Sequence, residues 1–176
     1  MEYEHTSPAK PTITGCLLKC LLIVVLGAAT FLAVPALAQL VRVQGDSMTP
    51  SLQGGQIILV NRLAYRLQPV RHGDIIVFRS PEAPQDTLVK RVIALPGENV
   101  ALKQGQLFIN NARVAEPYVA QSDADGFGPL QVQDGTLFVL GDHRGVSNDS
   151  RSWGLLPMVL VAGRAEFSIW PLLPIS

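Results

Sequence analysis

A mainly β domain behind a single N-terminal helix is the fold class this sequence predicts, on three observations. Short apolar runs recur from residue 56 onward, most of them bounded by Gly, Pro or Asn, which is the punctuation of strands and turns. No longer amphipathic helical pattern occurs after residue 40. Finally, the 19 residues from Cys20 to Ala38 carry no charge. As a helix rising ~1.5 Å per residue, they nearly cross a ~30 Å hydrocarbon core.

Taken in order, residues 1–14 read as a short cytoplasmic tail, 15–38 as a transmembrane anchor and 39–176 as one compact extracytoplasmic domain. Lys10 and Lys19 precede most of the apolar stretch and Arg42 follows it, a slight bias toward a cytoplasmic N-terminus. Ala36-Leu37-Ala38 presents small residues where a signal peptidase would cut. The apolar core, however, exceeds the ~7–15 residues usual in removable signal peptides, which favours a retained anchor. Cys16 and Cys20 lie at or inside this stretch and leave the domain without a disulfide or thiolate metal site. Ile13-Thr14-Gly15-Cys16 precedes the apolar segment, whereas a lipidation box follows one.

Strands are expected at Gln56–Val60, Asp74–Phe78, Leu88–Leu95, Asn99–Leu102, Gln106–Ile109, Thr136–Leu140 and Val161–Ile169, with one helical turn over Arg62–Leu67. A mobile loop is expected from Gln121 to Gly128. Its Asp123 and Asp125 lack the later ligands of a calcium loop, so no metal is expected. Net charge is zero and no basic cluster is interleaved with aromatics, so nucleic-acid binding has no support. No cofactor is expected.

Two residues carry the chemistry. Ser47 lies nine positions beyond Ala38, and Lys90 sits on the Leu88–Leu95 strand among Leu88 and Val92 of its own face, with Arg91 on the other. A lysine activates a serine only as the neutral amine. At its free pKa, only about 1 molecule in 2,500 is neutral at pH 7, and burial among apolar groups supplies the depression required. The bland alternative is a lysine that extends its ammonium to water and merely covers the sheet.

Four segments in order then decide between these readings: Gly45-Asp46-Ser47-Met48-Thr49-Pro50-Ser51-Leu52, Gly73-Asp74-Ile75-Ile76-Val77-Phe78, Lys90-Arg91-Val92-Ile93-Ala94-Leu95-Pro96-Gly97-Glu98, and the stretch from Gly141-Asp142-His143-Arg144 through Ser147-Asn148-Asp149-Ser150-Arg151 to Trp153-Gly154. Together with the preceding span, they resemble the type I signal peptidases, membrane-bound Ser/Lys endopeptidases. The likeness covers essentially residues 15–170. It implies the β-fold shared with self-cleaving repressors, with a reduced accessory β region over 98–140. Preprotein signal peptides would be the substrates, cut after Ala-x-Ala at an inner or plasma membrane.

By the same resemblance, Ser47 is the nucleophile and Lys90 the general base. Met48 packs near them, Ser147 hydrogen-bonds Lys90, Asp149 pairs with Arg151, and Arg91 pairs with Asp142. Two positions depart from the family pattern. Gly45 stands where some members place a serine that helps to bind the oxyanion. His143 stands where asparagine is usual, which raises a Ser47/His143/Asp142 triad as a rival; adjacent Asp142 and His143 on an extended segment nevertheless point to opposite faces.

An extended peptide is expected alongside Arg42–Ser47 and Thr87–Lys90, and Trp170 to Ile175 either touches lipid or closes the core. Self-cleavage at Ala38-Gln39 is a further expectation of such specificity. The competing functions are a membrane-tethered inactive β adaptor and a self-cleaving peptidase of the repressor type. The latter would carry a DNA-binding region where this chain has its apolar segment. The sequence leaves oligomeric state open.

Overall fold

The computed structural model describes residues 13–120, 126–170 and 172–174, with side chains at 17–28, 37–120 and 126–169. It divides into two compact units, Met1–Ala36 and Leu37–Ser176. The tail over 1–12, the centre of the expected 121–128 loop, the Cys16 side chain and the side chains of Trp170 to Ile175 lie outside the described residues.

In the first unit, helix α1 (Ile13–Leu37) is 25 residues long, ending in the first residue of the second unit. Its described side chains include Leu17, Leu18, Leu21, Leu22, Ile23, Val24, Val25 and Leu26, all more than half exposed. Among the described residues, no helix is long and apolar enough to cross a membrane. The residues with described side chains, 17–28, rise only about 18 Å.

After Leu37 the second unit continues directly in strand β1 (Ala38–Arg42). Then come β2 (Ile57–Asn61), α2 (Ala64–Leu67), β3 (Ile75–Arg79), β4 (Thr87–Ala94), β5 (Asn99–Lys103), β6 (Gln106–Ile109), β7 (Ala112–Arg113), β8 (Phe127–Gln131), β9 (Thr136–Leu140), α3 (Ser150–Trp153), β10 (Leu156–Pro157), β11 (Val161–Trp170) and β12 (Leu172–Pro174). An antiparallel sheet runs in the order β1-β2-β11-β3-β4-β9-β10, with β12 also on β11. A second sheet runs β7-β6-β5-β8.

The β-branched and aromatic runs explain the central strands. Ile75, Ile76, Val77 and Phe78 are all buried, as expected of a strand covered on both faces. The register pairs Lys90 with Ile76 and Leu88 with Phe78, and on the other side Arg91 with Leu140.

The accessory region is shorter than expected. Thr136–Leu140 pairs with β4 in the large sheet, so the small sheet ends at Gln131. Phe127–Gln131 is a strand, where the sequence had placed the end of a loop; it pairs with β5 from Asn99 to Leu102. Phe138 and Leu140 join Val100, Leu102 and Leu107 in one apolar cluster, which ties the small sheet to β9.

Candidate active site

Ser47 is presented by a tight turn rooted in the core. Val43, Met48 and Leu52 are buried together with Ile58, Val60, Ile75 and Val77. The Thr49 N–H donates to Asp46 O at 3.1 Å and the Leu52 N–H to Met48 O at 2.8 Å. Buried residues thus hold both sides of a partly exposed serine. Met48 is 1% exposed and belongs to this core cluster.

Lys90 comes from the middle of β4, between β3 and β9, and is 3% exposed. Its Nζ lies 2.8 Å from Ser47 Oγ. Burial pushes the amine below its usual 10.5, outweighing the negative charges of Asp149 and Asp142, which pull it upward. At 3% exposure the side chain is not extended over the sheet surface into bulk solvent, contrary to the bland alternative.

Arg91, one residue along, points away into a buried carboxylate. Its Nε donates to Asp142 Oδ1 at 2.9 Å and its Nη2 to Asp142 Oδ2 at 2.7 Å. Further bonds run to Gly73 O at 3.0 Å and Ser51 Oγ at 2.9 Å. Both members of this pair are nearly inaccessible, so it is no ordinary surface pair.

Asp142 thereby has both oxygens engaged, and the neighbouring His143 Nδ1 is buried with no hydrogen-bond partner. The triad rival lacks its aspartate–histidine bond. What His143 contributes is its backbone: its N–H donates to Ser47 O at 3.0 Å.

Asp149 organises the last loop. Fully buried, it caps α3 by accepting the Arg151 N–H at 3.3 Å, accepts the Gly141 N–H at 3.0 Å, and binds the Arg151 guanidinium at 2.8 and 3.0 Å. Ser147 corrects one expectation, since its Oγ is buried and hydrogen-bonds to nothing, Lys90 included. The Oγ instead sits over Gly141, in the space a side chain there would take. A Cβ there would lie 2.2 Å from Ser147 Oγ and 2.4 Å from Ser47 O, so Ser147 packs on the glycine.

Beside the pair runs a groove of about 300 Å³, lined by Val41 to Gln44 on one side and Gln85 to Lys90 on the other.

The family model described as signal peptidase, peptidase S26, matches residues 16–170. The chain belongs to this signal peptidase family. Signal peptidase I of Bacillus caldolyticus is 38% identical over 143 residues, covering 73% of this chain and 78% of that protein. A probable signal peptidase I-2 of a Synechocystis species is 36% identical over 134 residues, 73% of this chain and 62% of the relative's length. The crystal structure of a signal peptidase I from Enterococcus faecalis V583 has a TM-score of 0.50 at 32% identity, covering 55% of this chain and 97% of that one. Membership of the signal peptidase family makes the chain a serine peptidase of signal-peptide removal.

Several residues built into this candidate site had no separate signal in the sequence. Ser51 and Gly141 lie inside recognised segments, yet their contacts are long-range. Arg144, 2% exposed, donates to Gly141 O at 3.2 Å and pairs with Glu116. Tyr118 lies beneath Arg91, whose guanidinium carbon is 4.0 Å from the ring centroid. Glu116 and Tyr118 lie outside all four recognised segments.

Proposed function

We propose that Ser47 and Lys90 are the nucleophile and general base of this signal peptidase, cutting preproteins after small residues in an Ala-x-Ala pattern. The observation that carries the reading is the 2.8 Å approach of Lys90 Nζ to Ser47 Oγ in a buried setting that favours the neutral amine. With the proton on the serine, the same separation serves an O–H donated to the amine.

In the first step, Ser47 Oγ forms a bond to the scissile carbonyl carbon while its proton passes to Lys90. The carbonyl electrons move onto oxygen. No described residue accepts a hydrogen bond from the Ser47 N–H, which supports its use as an oxyanion donor; with Gly45 in place of serine, the second donor is another backbone amide. The C–N bond then breaks as Lys90 returns its proton to the leaving amine. Water, deprotonated by Lys90, attacks the acyl-enzyme and releases Ser47. Asp142 and Asp149, each neutralised by an arginine, hold the surrounding loop.

The groove between residues 41–44 and 85–90 supports binding of an extended signal peptide, with β1 at the edge of its sheet. We further propose α1 as a single-pass anchor in an inner or plasma membrane, residues 39–176 being extracytoplasmic. Its 25 residues rise about 37 Å, and apolar side chains exposed at eight of the ten positions from 17 to 26 suit lipid.

The test is incubation of the detergent-solubilised protein with a preprotein, alongside Ser47→Ala and Lys90→Ala. Cleavage after the signal peptide by the intact protein, and by neither variant, is expected. Absence of cleavage by the intact protein, or cleavage by either variant, overturns the reading.

A further inference from the structure

A segment between β7 and β8 of the small sheet reaches into the active-site corner at two points. At the first, Glu116 accepts two hydrogen bonds from Arg144, from Nη1 at 3.0 Å and from Nη2 through a shorter contact. The Arg144 side chain is 1% exposed and that of Glu116 8%. Arg144 Nε in turn donates to the Gly141 carbonyl at 3.2 Å, and Arg151 Nη2 donates to the Arg144 carbonyl at 2.6 Å. Gly141 is the residue packed against Ser47 O.

At the second point, the Tyr118 ring lies under the Arg91 guanidinium, 4.0 Å from ring centroid to carbon. Arg91 follows Lys90 in β4 and holds Asp142 bidentately. Tyr118 OH donates to Glu116 Oε1 at 2.9 Å, which joins the two arms.

We propose that Glu116 and Tyr118 are positioning residues for cleavage, holding Gly141 against Ser47 through Arg144 and holding Arg91 beside Lys90. The proposal rests on the Ser47/Lys90 reading. A buried charge pair is a weak way to gain stability, and a face of Tyr over a desolvated guanidinium fixes its plane as well as its position. Neither residue touches the groove beside Ser47, whose lining is residues 41–44, 47–48 and 85–90. Their loss therefore acts on the alignment of the reacting pair, which turns a small displacement into a large rate loss, and leaves peptide binding intact.

The experiment measures kcat and KM on a preprotein for the full chain in detergent and for Tyr118→Leu, Tyr118→Phe and Glu116→Gln. Tyr118→Leu is expected to lower kcat at least tenfold with KM within threefold of the parent. Tyr118→Phe, which keeps the ring over Arg91, is expected to stay within threefold in both constants. Glu116→Gln, of the same size without the charge, is expected to lower kcat about tenfold, and it carries the test if Tyr118→Leu fails to fold.

Unchanged kcat in Tyr118→Leu or Glu116→Gln overturns the proposal. So does a rise in KM without a fall in kcat, or a loss in Tyr118→Phe equal to that in Tyr118→Leu. If the parent protein itself cuts nothing, the Ser47/Lys90 reading falls first, a result distinct from an active parent with indifferent variants.

Discussion

Around β4 and the loop from Gly141 to Arg151 the protein buries five charged side chains, Lys90, Arg91, Asp142, Arg144 and Asp149. The four-stranded sheet β5–β8 buries Val100, Ala101, Leu102 and Leu107, and no charged side chain among its described residues. Removing an ion from water costs several kcal/mol that attraction to a partner only partly returns, whereas burying a leucine or valine is favourable by about 1.5–3 kcal/mol. The small sheet is thus built by the economical rule and the β4 corner against it. Charge is concentrated where the proposed chemistry needs a neutral lysine, a fixed serine and a rigid loop between them.

The comparison is tested hardest at Lys90. Lys90→Met keeps an unbranched chain of similar length and removes the amine. Cleavage is expected to fall by about 10⁴-fold, the upper range for loss of a general base. Stability at neutral pH is expected to rise, because the amine is desolvated in the fold. The pH dependence follows from the direction of the shift. The folded-state amine titrates below 10.5, so between the two values the unfolded chain binds the extra proton, and wild-type stability climbs with pH through that window. The advantage of Lys90→Met should therefore shrink as pH approaches 10.5. Denaturant unfolding of both proteins across this range checks it, and a wild type more stable than Lys90→Met at pH 7 would break the contrast.

A smaller effect is expected from the opposite rule. Leu107, 2% exposed in the cluster with Val100, Leu102, Phe138 and Leu140, leaves a cavity when cut back. Leu107→Ala should destabilise the domain by about 2–5 kcal/mol, read as a lower denaturation midpoint. At a temperature where the variant remains folded, kcat and KM should stay within threefold of the parent. A kcat that falls tenfold would mean that the apolar sheet takes part in alignment by its packing as well as through Glu116 and Tyr118.

The two regions also differ in how legible they are in the sequence. The central strands could be read because four successive apolar residues such as Ile75–Phe78 leave little else for a short run bounded by Gly73 and Ser80. Ser47 and Lys90 could be read because each stands in a segment of fixed residue order. β1 escaped notice because Ala38–Arg42 continues an apolar stretch already assigned to the anchor, and its pairing with β2 is not local. β8 escaped because Gly126, Gly128 and Pro129 are turn residues, and tertiary pairing with β5 overrode them.

In the β4 corner, Arg91–Asp142 and Asp149–Arg151 were expected as pairs, but their burial was not, since charge alone does not reveal solvent access. Glu116 and Arg144 stand 28 residues apart, beyond any local pattern. In place of the expected Ser147–Lys90 bond, Ser147 Oγ is buried over Gly141, a placement no residue pattern carries.

The smallest effect is expected at a histidine–carboxylate contact outside the corner. His72 Nε2 and Glu98 Oε2 are 2.7 Å apart, with the histidine side chain 47% exposed. By distance alone the contact equals Arg91–Asp142, so it separates the contribution of burial from that of geometry. Glu98 Oε2 also accepts the Leu95 N–H at 2.7 Å, and this bond survives loss of the imidazole. His72→Ala should therefore change stability by no more than about 1 kcal/mol and leave kcat unaltered. A loss above about 2 kcal/mol in denaturant unfolding would place this exposed contact with the buried ones, and distance rather than desolvation would then set how much a polar contact contributes in this protein.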